Sequence, residues 1–380
     1  RQLSRDIARI HGLYFPGMDA SLILTTDSFP TDERILATFG SMKVSGFRYS
    51  TGVEALRVEN GVGKVVLLPF QGQQVWDASF YGRRLTMKSM FSQPVPNVPF
   101  LRTYGGFLLH CGFTAMGGPT GNDTHELHGE LPNARYQDAR VIAGEDDRGF
   151  YVGLTGVYRH SEAFSYHYVA EPEIRIYEGS GRMRVTFQAT NEKATPMDYM
   201  YLCHANFRPL DGGELRYTAP CDRDHVRVRS NVPAHLAPDP SYVAFLEDLE
   251  EHPERHNRFE PGQPYDPEAV LFVDMLSDEE GIAHAMQLVP EGGADFISYK
   301  PAELDHAVRW ICRTPDQQGL GIVLPATAEP DGYTKEKEKG NVKSLQGGAT
   351  FRTSFDLGAL DPRESESLAN QIQTVLATRA

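Results

Sequence analysis

The stretch Val53–Phe80, with the sequence VEALRVENGVGKVVLLPFQGQQVWDASF, sets the fold class of this chain. Its first seven residues alternate apolar and polar side chains, which is the pattern of a half-buried strand. Asn60-Gly61 follows as a hairpin turn signal, a return strand starts at Lys64, and a third strand covers residues 74–80. Three strands joined by short turns predict an antiparallel meander.

The same alternation of short strands and turn residues continues through the 380 residues of the chain. We predict further strands at residues 21–26, 150–157, 173–177, 183–190, 198–207, 269–275, 284–289, 295–299, 308–313, 321–324 and 349–355. Strands at this density, separated by Gly, Pro, Asn and Asp, predict an all-β protein built as a large sandwich of antiparallel sheets.

Helices are predicted at only a few places. Asp361-Pro362 supplies an N-cap and a proline at the first helical position of a C-terminal helix over residues 361–378. Shorter helices are predicted at residues 5–10 and 241–252. The charged run Lys335–Lys339 is predicted to be a solvated loop or lid.

The organisation along the chain indicates one domain over residues 1–380. Residues 1–50 are expected to be an N-terminal extension. The charged, proline-rich residues 233–267 are expected to be an irregular insertion that crosses the surface.

The composition excludes several classes of function. The formal net charge is −14, so the chain has no basic excess with which to displace counterions from nucleic acid. No apolar run approaches the roughly 18 residues that a membrane helix needs. We therefore expect no nucleic-acid partner and no membrane partner. The four cysteines are widely spaced, which favours a reducing cytoplasm as the compartment.

Two histidines and two carboxylates lie within six residues, in His125-Glu126-Leu127-His128-Gly129-Glu130. The glycine-rich residues before them predict a loop that enters a strand, and loops on a rigid scaffold often carry chemistry. Imidazole exchanges protons readily near neutral pH, so His128 is a candidate catalytic residue. The alternative is an ordinary loop histidine.

A metal site on the same residues would need His125, His128 and Glu130 to converge. Their spacing matches neither the helical H-E-x-x-H pattern nor a zinc finger. On a strand, residues three apart face opposite sides, so the two histidines could share an ion only across a turn. We therefore expect no metal on these residues.

His204 and Glu329 are the other candidates for chemistry. His204 stands on a strand that is otherwise apolar or aromatic, and Asn206 shares its face. Two polar groups on one face favour a polar cleft over a core histidine. Glu329 follows a buried strand and is either a base or an exposed turn carboxylate.

In their order along the chain, these motifs resemble the aldose 1-epimerase (galactose mutarotase-like) superfamily, in particular its long bacterial branch. The resemblance rests on Leu127-His128-Gly129 followed by Asn133-Ala134, on Pro196-Met197 leading to His204-Ala205-Asn206-Phe207, and on the Pro330-Asp331 turn. The hairpin around residues 68–77 and the glycine-bounded strand of residues 105–113 add to it. The match spans residues 50–357.

The resemblance implies a large antiparallel β-supersandwich with a sugar cleft on one sheet. Such enzymes interconvert sugar anomers: a carboxylate takes the proton of the C1 hydroxyl while a histidine protonates the ring oxygen. By position, His204 matches the acid and His128 matches the histidine that holds the ring. The basic Glu of the family falls at Pro325, which cannot be a base, so either Glu329 is the substitute or the base comes from elsewhere in the chain.

The resemblance also implies a small carbohydrate as the partner and no cofactor. The candidates for substrate binding are Arg102, Asn133, Arg135, Asp274, His284 and Trp76. Of these, Trp76 is expected either to stack on a pyranose face or to belong to the core.

We therefore expect a cytoplasmic, carbohydrate-active isomerase of the aldose 1-epimerase type. Two alternatives stay open. Pro325 favours a non-catalytic carbohydrate-binding protein. A metal-assisted sugar isomerase or lyase would instead be built on His125, His128 and Glu130.

Overall fold

The computed structural model describes residues 19–229 and 240–379. The strands are β1 (Ala20–Leu24), β2 (Arg34–Phe39), β3 (Met42–Arg48), β4 (Glu54–Glu59), β5 (Gly63–Leu67), β6 (Val75–Phe80), β7 (Arg83–Arg84), β8 (Leu108–Phe113), β9 (Asp138–Asp146), β10 (Gly149–Glu162), β11 (Tyr166–Tyr177), β12 (Arg182–Asn191), β13 (Met197–Ala205), β14 (Glu214–Tyr217), β15 (Val226–Val228), β16 (Tyr265–Val273), β17 (Ala283–Leu288), β18 (Ala294–Tyr299), β19 (His306–Arg313), β20 (Gln318–Ala326), β21 (Lys343–Leu345) and β22 (Thr350–Leu360). The helices are α1 (Pro240–Glu251), α2 (Tyr333–Lys339) and α3 (Pro362–Arg379).

Two antiparallel sheets form the sandwich. The nine-stranded sheet has the order β1-β9-β10-β11-β12-β22-β18-β17-β14. The thirteen-stranded sheet has the order β15-β16-β19-β20-β13-β8-β6-β5-β4-β3-β2, with β21 beside β13 and β7 beside β6. The main core lies between the sheets, where Phe187 of β12 stacks on Tyr201 of β13 with ring centroids 4.5 Å apart. The predicted all-β sandwich is confirmed.

The predicted meander is formed by β4, β5 and β6. Leu56 pairs with Leu67 and Val58 pairs with Val65, and all four side chains are buried. Gly61 has a φ of +94° in the turn between β4 and β5, a conformation that glycine adopts without strain. The alternating pattern and the Asn60-Gly61 turn therefore produce the expected hairpin.

Residues 20–48 extend both sheets at their edges. β1 pairs with β9 at the edge of the nine-stranded sheet, and β2 and β3 continue the thirteen-stranded sheet beyond β4. The sequence patterns did not predict β2, β3, β9, β14, β15 or β21. Most of these are short or lie at sheet edges, where a side chain is buried on one face at most.

The prediction of a solvated loop at Lys335–Lys339 is wrong, because these residues belong to helix α2. Gly332 precedes the helix, and Gly340 ends it in the left-handed conformation with a φ of +80°. Glu336 is fully buried and pairs with Lys339 one turn later. The charge of Glu336 is therefore directed into the protein, whereas Lys337, Glu338 and Lys339 stay exposed.

The two helices predicted at residues 241–252 and 361–378 are confirmed as α1 and α3. In α1, Leu246 and Leu249 are buried in the main core. In α3, Leu368 and Ile372 pack on Phe296 of β18 in a separate apolar cluster. The helix predicted at residues 5–10, and residues 233–239 of the expected insertion, lie outside the described residues. Among the residues that are described, no helix has the length and apolar character needed to cross a membrane.

Candidate functional site

One face of the thirteen-stranded sheet collects the polar side chains of interest, and we call it the cleft face. Trp310 of β19 pairs with Val270 of β16, so Glu268, two residues before Val270, shares the face of Trp310. His204 of β13 has its ring centroid 5.6 Å from that of Trp310, which places it on the same face. Asn206, two residues beyond His204, lies there too.

Aromatic rings enclose His204. Its ring centroid lies 5.3 Å from that of His128 and 5.5 Å from that of Tyr104, and both contacts are edge-on. The ring centroid of Phe100 in turn lies 5.0 Å from that of His128 and 4.7 Å from that of Tyr104. The structure therefore brings the two predicted histidines together, although they come from a loop and a strand far apart in sequence.

Hydrogen bonds define which nitrogen of His204 carries its proton. The amide nitrogen of Asn206 donates to the Gly106 carbonyl over 2.9 Å, which turns the amide oxygen toward His204. That oxygen accepts hydrogen bonds from Nδ1 of His204 at 2.8 Å and from the Tyr104 hydroxyl at 3.0 Å. In the neutral ring, the proton is therefore on Nδ1 and the lone pair is on Nε2.

Burial controls the charges of this cluster. It lowers the pKa of His204 to about 4, although the hydrogen bond to Asn206 acts in the opposite direction. Burial also holds the pKa of His128 well below its ordinary value, and the nearby charges of His204 and Arg229 add to the effect. Burial raises the pKa of Tyr104 well above its usual value. Both imidazoles and the phenol are therefore neutral at pH 7.

The loop between β8 and β9 holds His128 in place. His128 has a φ of +62°. Its N–H donates a hydrogen bond to the Gly117 carbonyl over 3.0 Å, and its carbonyl accepts one from the Gly112 N–H over 2.9 Å. Gly129 has a φ of +75°, and a Cβ at this position would lie 2.3 Å from the Ala115 carbonyl oxygen. Only glycine fits there, so the His-Gly pair of the motif has a structural cause.

Glu130 fastens the same loop to the sheet. Its carboxylate accepts hydrogen bonds from the Phe113 amide at 3.2 Å, from the hydroxyl of Thr114 at 2.7 Å, and from the Tyr168 hydroxyl. His125 instead donates from Nδ1 to the adjacent Glu126 carbonyl at 2.8 Å. The geometry therefore does not bring His125, His128 and Glu130 together around one ion.

Glu329 lies in an ion-pair cluster that includes α2. Its carboxylate oxygens accept hydrogen bonds from Arg227 at 2.6 Å and from Lys339 at 2.7 Å. Burial acts to raise the pKa of Glu329, but Lys339 and Arg227 outweigh burial and hold the pKa below its ordinary value. The carboxylate is therefore a poor proton acceptor.

Within the described ranges, one set of carboxylates is close enough to share a metal ion, namely Glu329, Asp331 and Glu336. The ammonium group of Lys339 lies 2.7 Å from Asp331 and 2.8 Å from Glu336, besides its contact with Glu329. Lys339 therefore supplies the positive charge that these carboxylates need.

The strand register explains why Pro325 is not a lost base on the cleft face. Leu202 of β13 pairs with Ala326 of β20, and His204 shares the face of Leu202. Ala326 and Leu324 therefore point toward the cleft, whereas Pro325 points to the other side of the sheet. No carboxylate occupies a cleft-facing position in this part of β20.

Two of the predicted sugar-binding residues lie at the cleft. Arg102 is exposed at the end of the 3₁₀ turn that carries Phe100, the residue packed on His128. Asp274 is exposed just beyond the end of β16. It is four residues after Val270, so the alternation of the strand places both on the same face. Arg102 and Asp274 stay candidates for contacts with sugar hydroxyls.

The other four predicted binding residues have partners of their own. Asn133 accepts from the Gln74 amide at 3.1 Å, and Arg135 pairs with Glu54 at 3.0 Å. Trp76 is buried in a separate apolar cluster with Val53, Val66 and Leu68. His284, on the nine-stranded sheet, binds Asp278 at 3.0 Å and Ser298 at 2.8 Å. The structure does not bring Trp76 or His284 to the histidine pair.

Sequence reasoning missed Tyr104, Trp310, Glu268 and Arg229 as parts of the site. Glu268 accepts hydrogen bonds from Nε1 of Trp310 at 2.7 Å and from Arg229 at 2.8 Å. The predicted strand began at Ala269, one residue after Glu268. Continuing the alternation of Val270 back by two residues would have placed Glu268 on the strand.

A sandwich of two antiparallel sheets with a cluster of polar side chains on one face defines the class of protein, and its fold is that of galactose mutarotase-like proteins. A crystal structure of "a putative aldose 1-epimerase" from Klebsiella pneumoniae subsp. pneumoniae MGH 78578 has a TM-score of 0.78 and 17% identity, covering 96% of this chain and 97% of that one. A galactose mutarotase-like protein from Clostridium acetobutylicum has a TM-score of 0.53 and 11% identity, covering 84% and 98% of the two chains. One from Lactobacillus casei ATCC 334 has a TM-score of 0.51 and 13% identity, covering 80% and 99%.

Residues 50–359 match the family described as "Domain of unknown function (DUF4432)", and the chain belongs to this family. A search among curated proteins gives no match. At the identities above, the similarity to solved structures concerns the fold alone.

Proposed function

We propose that the protein is a carbohydrate-active isomerase that interconverts sugar anomers in the manner of an aldose 1-epimerase. The observation that carries the proposal is the pair His128 and His204, with ring centroids 5.3 Å apart on the cleft face. Aromatic rings such as Trp310 offer stacking surfaces for the apolar face of a pyranose, and the polar groups between them can bind its hydroxyls.

In this mechanism His204 is the general acid. Its Nδ1–H is held by Asn206, so Nε2 is the nitrogen that would deliver a proton to the ring oxygen. His204 must be an imidazolium to do so, and its pKa of about 4 makes that form a minor one at neutral pH. Anomer exchange should therefore become faster as the pH falls from 7 toward 5.

His128 would bind the ring and its hydroxyls beside the acid, with Arg102 and Asp274 at the exposed edge. Glu329, the base that the sequence suggests, is held by Arg227 and Lys339. We assign it instead to anchoring α2 beside the cleft. Chemistry of this kind needs no metal, and a small carbohydrate is the proposed partner.

One-dimensional proton NMR with saturation exchange between α and β anomers, over a panel of free aldoses, tests this function. We expect wild-type protein to accelerate exchange of at least one sugar. His204→Gln should abolish the acceleration while leaving the fold intact. The matched control is His167→Gln, because His167 is an exposed histidine on the nine-stranded sheet. Full activity in His204→Gln would refute the role of His204.

A non-catalytic carbohydrate-binding protein is the second candidate. It is favoured by the neutral state of His204 and by Leu324 and Ala326 on the cleft-facing side of β20. It predicts a sugar-dependent rise in the melting temperature with no acceleration of exchange by any sugar of the panel.

We also propose that the chain acts in the cytoplasm as a single domain. Cys111, Cys203 and Cys312 are buried free thiols, as expected in a reducing compartment. Measurement of free thiols in protein purified without reductant would test this location.

A further inference from the structure

The proposed isomerisation needs a proton acceptor on the cleft face, and β20 does not supply one there. Its cleft-facing residues next to the pairing with β13 are Leu324 and Ala326. Glu329 beyond the strand is held by two cations, Arg227 and Lys339, and is nearly buried. A carboxylate from another strand has to act if the reaction occurs.

We propose that Glu268 of β16 is the general base of this site, an assignment that rests on the proposed function. Glu268 lies on the cleft face, because it accepts a hydrogen bond from the indole of Trp310, whose ring packs beside His204. β16 is separated from β20 by one strand, β19. The proposed acceptor therefore lies two strands away from β20, on the cleft face.

The surroundings of Glu268 suit a proton acceptor. Trp310 donates to one oxygen at 2.7 Å and Arg229 donates to the other at 2.8 Å. Each carboxylate oxygen has two lone pairs, so one lone pair on each is left for a substrate hydroxyl. The side chain keeps 22% of its surface exposed, which leaves it open to a ligand. Glu329 is only 9% exposed at its side chain.

Trp310 connects the proposed base to the proposed acid. Its indole nitrogen holds Glu268, while its ring centroid lies 5.6 Å from that of His204 and 6.0 Å from that of Tyr104. A pyranose on the cleft face would meet the imidazole and the carboxylate on either side of this ring. Proton transfer in opposite directions at C1 and at the ring oxygen needs this kind of separation.

The step balances without any other reactant. Glu268 takes the proton of the C1 hydroxyl, the C1 carbonyl forms, and the bond between C1 and the ring oxygen breaks. The ring oxygen receives a proton from Nε2 of His204. After rotation about the C1–C2 bond, Glu268 returns its proton to the carbonyl oxygen while His204 takes back the proton of the former ring oxygen, and the ring closes as the other anomer.

The test compares Glu268→Gln with Glu329→Gln, using the aldose whose anomer exchange wild-type protein accelerates most. Gln keeps the size of the side chain and can still accept the hydrogen bond from Trp310. We expect Glu268→Gln to lose roughly 10²- to 10⁴-fold in acceleration, the range for removal of a general base. We expect Glu329→Gln to stay within about fivefold of wild type, because a carboxylate that binds Arg227 and Lys339, outside the reacting groups, contributes little to the barrier.

If Glu268→Gln matches wild type, Glu268 is not the base, although the proposed function stands. A large loss in Glu329→Gln alone would return the role to Glu329. If wild-type protein accelerates the anomer exchange of no aldose, the proposed function fails, and the base assignment fails with it. Should Glu268→Gln not fold, Glu268→Asp withdraws the carboxylate by one methylene. At least a tenfold loss is expected for that variant, and an unchanged rate would overturn the assignment.

Discussion

Replacement of Asn206 by Asp should convert His204 from a neutral imidazole into one that is substantially protonated at pH 7. The amide oxygen of Asn206 lies 2.8 Å from Nδ1, so a carboxylate at the same place would stabilise the imidazolium directly. A carboxylate at such a distance raises the pKa of a cation by about 1 to 3 units. The pKa of His204 should therefore rise from about 4 to between about 5 and 7.

The size of the expected effect follows from these values. With a pKa of about 4, roughly one molecule in a thousand carries the imidazolium at pH 7. In the Asp variant the fraction becomes between about one in a hundred and one half. If proton donation by His204 limits anomer exchange, the rate at pH 7 should increase at least about tenfold in Asn206→Asp.

The assay is NMR of ¹⁵N-labelled histidine as a function of pH, combined with anomer exchange at each pH. His110 serves as an internal reference, because burial alone lowers its pKa to about 3. Asn206→Leu is the opposite control, since removal of the hydrogen bond that now raises the pKa of His204 should lower it further. Asp cannot donate to the Gly106 carbonyl, which should cost about 1–3 kcal/mol of stability.

Two results would refute this reasoning. Titration of His204 near 6.5 in wild-type protein would show that burial does not control its charge. An unchanged pKa in Asn206→Asp would show that the contact with Nδ1 does not exist in solution.

Three further predictions concern the framework of the site. Burial lowers the pKa values of His110 and His256 to about 3, so the unfolded chain binds two more protons below pH 6.5. These two histidines alone should then lower the free energy of unfolding, from urea titration, by about 3 kcal/mol between pH 6.5 and 5, and a flat profile would contradict this. Gly129→Ala should lower the free energy of unfolding by about 1–3 kcal/mol and should also slow anomer exchange. The control is Gly121→Ala, which should affect exchange little, because Gly121 also has a positive φ, +61°, but a Cβ there would meet no atom within 4 Å. Lys339→Met should cost about 2 kcal/mol by leaving three carboxylates together, and an unchanged melting temperature would refute the ion cluster.

The sequence was sufficient for the features that depend on local patterns. Alternation predicted the strands around Asn60-Gly61, and the shared face of His204 and Asn206 pointed to a polar cleft. The glycine in His128-Gly129 marked a backbone that approaches its neighbours closely, as the contact with the Ala115 carbonyl demonstrates. These inferences needed only the period of a strand and the preferences of glycine.

The remaining features depend on contacts between distant parts of the chain. Glu336 is buried in α2 because Lys339 and other partners compensate its charge, which local sequence does not reveal. The side to which Pro325 points depends on the pairing of β20 with β13 and β19. Trp310 joins the site through the order of strands in the sheet, and Tyr104 through the packing of the segment before β8. Tertiary pairing, more than local propensity, therefore determines the chemistry of the cleft.

The central claim is that the cleft face between His204 and Glu268 is where a sugar reacts. The measurement that tests it most directly is a crystal structure of the protein with the aldose whose anomers it exchanges fastest. We predict the ring oxygen within hydrogen-bond distance of Nε2 of His204, and the C1 hydroxyl within hydrogen-bond distance of the Glu268 carboxylate. A sugar bound on another surface, or one whose C1 faces away from both groups, would contradict the proposed site.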